Sequence, residues 1–138
     1  MPQYKKIFCC EILAPTGKIL GVEAVLAVLP LADGMLGVLA DHSPLIGIVG
    51  AGLLTITQPD DKVHEYFVAG GFAHVHSNAV SLLVEECTPI SALDAAQIQE
   101  EIARAESLPA ETFAQQQQRR KALSIANTKL KLTQKKAG

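Results

Sequence analysis

Few side chains in this sequence stand where they could do covalent chemistry. His74 and His76 lie two apart in a stretch that reads as a strand, so they share a face, and paired imidazoles can ligate a metal ion. No third ligand stands at a recognisable spacing, so a solvated strand face is the plainer account and no metal site is expected. Asp41, His42 and Ser43 carry the residue types of a hydrolytic triad, but such triads are not assembled from three neighbours in sequence, and Pro44 makes the segment a loop. Gly70-Gly71 and Gly50-Ala51-Gly52 lack both the GK[ST] ending and the GxGxxG pattern of phosphate loops, and strand corners or bulges explain them. Cys9 and Cys10, adjacent on a strand, should point to opposite faces, one buried and one not, as small apolar residues. Three cysteines (Cys9, Cys10, Cys87) without a CxxC pair support neither a disulfide framework nor a zinc site, which fits a reducing compartment. No catalytic constellation emerges, and the chain is not expected to be an enzyme.

The elements that must hold these residues fall into two kinds. Up to about residue 88 the pattern is of short strands broken by turn signals: Ile7–Leu13 before Pro15-Thr16-Gly17, Ile19–Leu29 before Pro30 and Asp33-Gly34, then Met35–Leu39. Leu53–Thr57 and Val63–Ala69 flank Gln58-Pro59-Asp60-Asp61, and Phe72–His76 and Val80–Val84 flank Ser77-Asn78, two hairpin signals. Such a run predicts an antiparallel sandwich or barrel for residues 1–88. Near Ser91 the period changes. Ser91 with Asp94 resembles a capping box, and Ala95, Ile98, Ile102 and Ala105 recur at helical spacing. Leu108-Pro109 interrupts, with proline placed to open a second helix from Ala110 onward. Residues 89–138 thus read as an αα-hairpin whose apolar stripe of Phe113, Leu123, Ile125, Ala126, Leu130 and Leu132 is thin, with four amides at Gln115–Gln118. Isolated helices of that kind are marginal in water, so the hairpin must lean on the β domain or on a partner.

Charge divides the chain at the same place. Residues 1–90 carry four basic and nine acidic side chains (−5), residues 91–138 eight and five (+3), which sum to the formal −2 of all 138 residues. After Glu111 no acid follows, while Arg119, Arg120, Lys121, Lys129, Lys131, Lys135 and Lys136 do. With only 4% aromatic residues, and Phe113 alone near the basic run, there is no stacking platform for nucleic acid; an acidic protein surface suits the run better. The basic start MPQYKK is not followed by the apolar core of a signal peptide. Ala24–Ala32 is broken by Pro30 and far short of the ~20 residues of a membrane span. A cytosolic protein that docks on something membrane-bound is the expectation.

Three ordered segments narrow this. Gly34-Met35-Leu36-Gly37-Val38-Leu39-Ala40-Asp41-His42-Ser43-Pro44-Leu45 resembles the G-x-L-G-[IV]-x-x-x-H-[AS]-P-L signature of the epsilon subunits of bacterial and chloroplast F-type ATP synthases. Gly52-Leu53-Leu54-Thr55-Ile56 resembles the next family segment, and Ala69-Gly70-Gly71-Phe72-Ala73-His74-Val75 the family's G-G-F-x-x-V hairpin. Ala40-Asp41 departs from the family's usual Pro-Gly before the loop histidine. The resemblance implies a sandwich of about ten antiparallel strands followed by a helical hairpin. It implies a non-catalytic rotor subunit of a proton- or sodium-translocating synthase, peripheral to the cytoplasmic face of the bacterial inner membrane. The implied partners are the gamma subunit, the c-ring and the alpha and beta catalytic subunits, with no nucleic acid.

By the same resemblance, Met35 and His42 occupy c-ring-facing positions, and the hairpin swings between a compact state and an extended one that blocks ATP hydrolysis. In that extended state Arg119, Arg120 and Lys121 would meet the catalytic head. No cofactor is required; regulatory ATP, held in some relatives by [IL]-D-x-x-R-A and a later Arg-Ala, would here find Asp94 and Arg104 but Gln97-Ile98 in place of the first Arg-Ala, losing one bidentate phosphate partner. The alternative from another class is a free-standing cytosolic sandwich with a basic helical tail that binds nucleic acid or an acidic protein.

Overall fold

In the computed structural model, residues 6–137 are described, with side chains through Gln134; the basic start Met1–Lys5 and the side chains of Lys135 and Lys136 lie outside that description. Two compact units divide at Thr88 and Pro89.

The first unit is one hydrogen-bonded sheet of eight strands: β1 (Phe8–Ala14), β2 (Gly17–Ala24), β3 (Leu26–Leu31), β4 (Gly34–Val38), β5 (Leu45–Ile48), β6 (Gly52–Thr57), β7 (Val63–His76) and β8 (Ala79–Pro89). They run in the order β2-β1-β8-β7-β6-β3-β4, with β5 on the far half of β7. Alternation decides the faces. In β1, Phe8, Cys10 and Ile12 point inward and Cys9 outward, so the two adjacent cysteines do face opposite ways. Phe8, Ile12, Leu29, Leu54, Ile56, Ala73, Val80 and Leu82 join side chains from the other strands in a single core.

Two features differ from the sequence-based expectation. Val63–Ala69 and Phe72–His76 are one strand, β7, bent at Gly70 (φ 75) and Gly71 (φ 108), so that Val63–Val68 pair with β6 and Phe72–Val75 with β5. The described residues form eight strands, where the resemblance implied about ten. The pairing of β1 with β8 is parallel, from Cys9↔Ala79 to Leu13↔Leu83, where an all-antiparallel sheet was expected. The hairpin expected across Ser77-Asn78 is present between β7 and β8, and both residues, at φ 47 and φ 57, adopt the left-handed conformation of a type I′ turn.

The second unit holds a 3-10 turn (Ile90–Ala92), α1 (Ala95–Glu106) and α2 (Phe113–Ala137). The cap of α1 is Asp94 itself, whose carboxylate accepts from Ala96 N at 3.0 Å; Ser91 sits in the 3-10 turn before it. A capping box opens α2. Gln115 N donates to Thr112 Oγ1 at 3.1 Å and Thr112 N to Gln115 Oε1 at 3.1 Å, so the helix opens at Phe113 rather than Ala110.

Ile98 and Ala105 of α1 and Ala126 of α2 are buried, while Leu123, Ile125, Leu130 and Leu132 are half-buried. Lys129, counted in the sequence among the solvated basic run, is buried and reaches Glu101 Oε1 at 3.1 Å and Oε2 at 3.3 Å. A buried ammonium stripped of its carboxylate, or the reverse, costs more than an exposed pair gains. Glu101→Ala is therefore expected to lower the protection of α1 and α2 amides against hydrogen exchange about tenfold, while Glu101→Leu with Lys129→Leu recovers most of it. Unchanged exchange in Glu101→Ala would show that the pair does not hold the two helices.

Candidate functional site

The β4–β5 connection, residues 39–44, carries His42. Its half-buried ring donates from Nδ1 to the carbonyl of Ser43 at 2.8 Å. The preceding residue, Asp41, has φ 66. Its N–H donates to Asn78 Oδ1 at 2.6 Å and its Oδ1 accepts from Asn78 Nδ2 at 3.2 Å. Its Oδ2 accepts from Lys6 Nζ at 2.9 Å. The Lys6 ammonium first, and then the Asn78 amide, hold the Asp41 carboxyl below its ordinary range; Asp41 in turn raises Lys6. Loop, N-terminal segment and β7–β8 turn are thus tied at one end of the sandwich.

Met35 lies near the other end of β4. It sits opposite Pro30 in the β3–β4 ladder, and the strand rise alone puts it about 10 Å from Val38. Met35 is thus carried by a strand and His42 by the loop that follows it. The structure sets Met35 in an open groove with Leu36, Asp33, Ile46 and Ile48. Ile46 and Ile48 alternate outward on β5 and are 72% and 62% exposed; Met35 is 59% and Phe72, opposite Ile48, 57% exposed. This apolar strip was missed in sequence. Its signal was present: Leu45-Ile46-Gly47-Ile48 is apolar on both alternating faces, so one apolar face must look outward.

The remaining candidates fall as follows. His74 and His76 share the outward face of β7 with ring centroids 4.1 Å apart, and among the described residues no group of three His, Cys, Asp or Glu could hold a metal. Burial pushes the Cys10 thiol up to about 12 and the Cys87 thiol to about 11, far from a reactive thiolate. Asp94 caps α1 while Arg104 stands in its last turn, about 15 Å away along the axis. Arg119 Nε donates to the carbonyl of Glu106 at 3.3 Å, closing the C-terminal end of α1; Arg120 and Lys121 are exposed. No described helix is long and apolar enough to cross a membrane.

Residues 7–90 match the family model described as "ATP synthase, Delta/Epsilon chain, beta-sandwich domain". The ATP synthase epsilon chain of Rhodopirellula baltica is 35% identical over 111 residues, which are 78% of this chain and 84% of that one. That of Granulibacter bethesdensis is 30% identical over 97 residues, 70% and 72% of the two chains. Two solved structures share the fold. A chain of the Euglena gracilis mitochondrial ATP synthase (OSCP/F1/c-ring) superposes with a TM-score of 0.77 at 22% identity, covering 88% of this chain and 78% of that one. A chain of the Tetrahymena thermophila mitochondrial ATP synthase central stalk and c-ring superposes with a TM-score of 0.76 at 15% identity, covering 94% and 98%.

Proposed function

This chain belongs to the ATP synthase epsilon-chain family, and from that membership we propose that it is the non-catalytic central-stalk subunit that joins the catalytic head to the membrane ring. The observation that carries the reading is the outward apolar strip of Ile46, Ile48 and Phe72 beside the loop of His42. Apolar side chains gathered on one strand pair mark a protein contact rather than a free surface. The strip takes the gamma subunit. Met35 on β4 and His42 on the loop after it meet the c-ring. The chain is peripheral to the membrane through these partners, on the cytoplasmic face in a bacterium.

The hairpin restrains ATP hydrolysis in an extended state, with Arg119, Arg120 and Lys121 on acidic surface of the catalytic subunits. Arg119 is taken by Glu106 when the helices are together and released when they part.

The test uses synthase complexes stripped of this subunit and reconstituted with the full chain. Return of ATP-driven ion pumping supports the rotor role, and hydrolysis that stays uncoupled after addition overturns it. In the same assay, Arg119→Ala/Arg120→Ala/Lys121→Ala should raise hydrolysis several-fold, with the difference from the unsubstituted chain fading as salt screens the charges. If only truncation after Leu108 raises hydrolysis, the hairpin acts by shape and the charge account fails.

A further inference from the structure

Asp41 and Asn78 both occupy left-handed backbone, at φ 66 and 57, on segments 37 residues apart, and each satisfies the other. Asn78 also anchors a third segment, since its carbonyl accepts from Cys9 N at 3.0 Å at the start of β1. We propose that Asp41 and Asn78 are positioning residues, a reciprocal clasp that holds residues 39–44, and His42 with them, in one pose on the β7–β8 turn. What the pose serves rests on the reading of His42 as a ring contact; the clasp itself does not.

The physical case is one of need and means. A six-residue connection offers few backbone bonds of its own; here a single turn, His42 N to Leu39 O at 3.3 Å, is closed within it. A short aspartate or asparagine side chain tolerates left-handed backbone, and the Asn78 amide presents one acceptor and two donors, matching the N–H and carboxylate that Asp41 turns toward it. Lys6 completes the set by neutralising the carboxylate at 2.9 Å, away from the Asn78 side. Ala40-Asp41 thus shapes this loop through a side-chain partner.

Asn78→Gly separates the clasp from the turn, because glycine is at ease in a type I′ turn. In the full chain, NMR-detected exchange of the Asp41 amide should speed up about tenfold in this variant, with core amides such as Leu82 unchanged. The swap Asp41→Asn/Asn78→Asp rebuilds a carboxamide facing a carboxylate and should return that rate to within about threefold. A residue that merely favoured the turn would give neither result. Unchanged Asp41 exchange in Asn78→Gly, or a swap that restores nothing, overturns the proposal. If exchange follows the expected pattern while His42→Ala leaves assembly with the stripped complex intact, the clasp stands and the ring-contact reading of His42 falls.

Discussion

Gly71→Ala is expected to unfold the sandwich at ambient temperature or lower its stability by more than about 4 kcal/mol. Gly71 holds φ 108, a conformation that an L side chain rarely adopts, and a Cβ built there would fall on the carbonyl oxygen of Leu83, with Val84 Cα close behind. Those are backbone atoms of β8, the strand beside β7 in the sheet, so relief requires the two strands to part at the bend. The neighbouring Gly70, φ 75, is a useful contrast. A Cβ there would meet the side chain of Glu85 rather than backbone. Gly70→Ala should therefore cost less than Gly71→Ala, the ~1–2 kcal/mol of left-handed backbone plus the displacement of Glu85. Urea denaturation of both full-length variants, followed by circular dichroism, decides it. A Gly71→Ala midpoint equal to that of Gly70→Ala would mean that the bend is soft and does not fix where β7 leaves β6 for β5.

The same glycine pair shows what could be read in advance and what could not. Local signals were legible because they act within a few residues: the hairpin at Ser77-Asn78, the opposite faces of Cys9 and Cys10, the change of period near Ser91 and the ordered family motifs. Gly70-Gly71 was recognisable as a corner, but one strand bent across two partners looks in sequence like two strands. The contents of the site were harder. Asp41 meets Asn78 across 37 residues and Lys6 across 35, and no periodicity relates such pairs. Lys129 read as solvated because a helical wheel assigns faces only when the packed face is known, and the α2 stripe was thin. Its true face is set by Ala126 and Lys129 turning inward and by Glu101 on the other helix. The Thr112–Gln115 capping box was available in Thr-Phe-Ala-Gln, but the proline at 109 offered a competing start.

Ile48→Asp with Phe72→Asp should abolish assembly with stripped synthase complexes while leaving the fold intact. Both side chains are more than half exposed in the free chain and lie directly opposite one another on β5 and β7, so replacing them removes little packing; exposed substitutions usually cost within ~0.5 kcal/mol each, and two carboxylates directly opposite add a repulsion of roughly 0.2–1 kcal/mol, small beside the stability of a folded domain. In a complex the balance reverses. Full burial of an Ile or Phe side chain contributes about 1.5–3 kcal/mol, and an aspartate in the same place brings a carboxylate that must shed water without a partner. Two such losses together weaken binding on the order of 1000-fold, because each factor of ten corresponds to about 1.4 kcal/mol. Val63→Asp supplies the control: Val63 is also exposed, but it pairs with Thr57 at the start of β7, before the bend. Binding of each full-length variant to the stripped complex, measured beside its urea midpoint, separates docking from folding. Assembly retained by the double variant would remove the strip as the gamma-facing surface, and equal loss with Val63→Asp would show that added negative charge anywhere on the sandwich is enough.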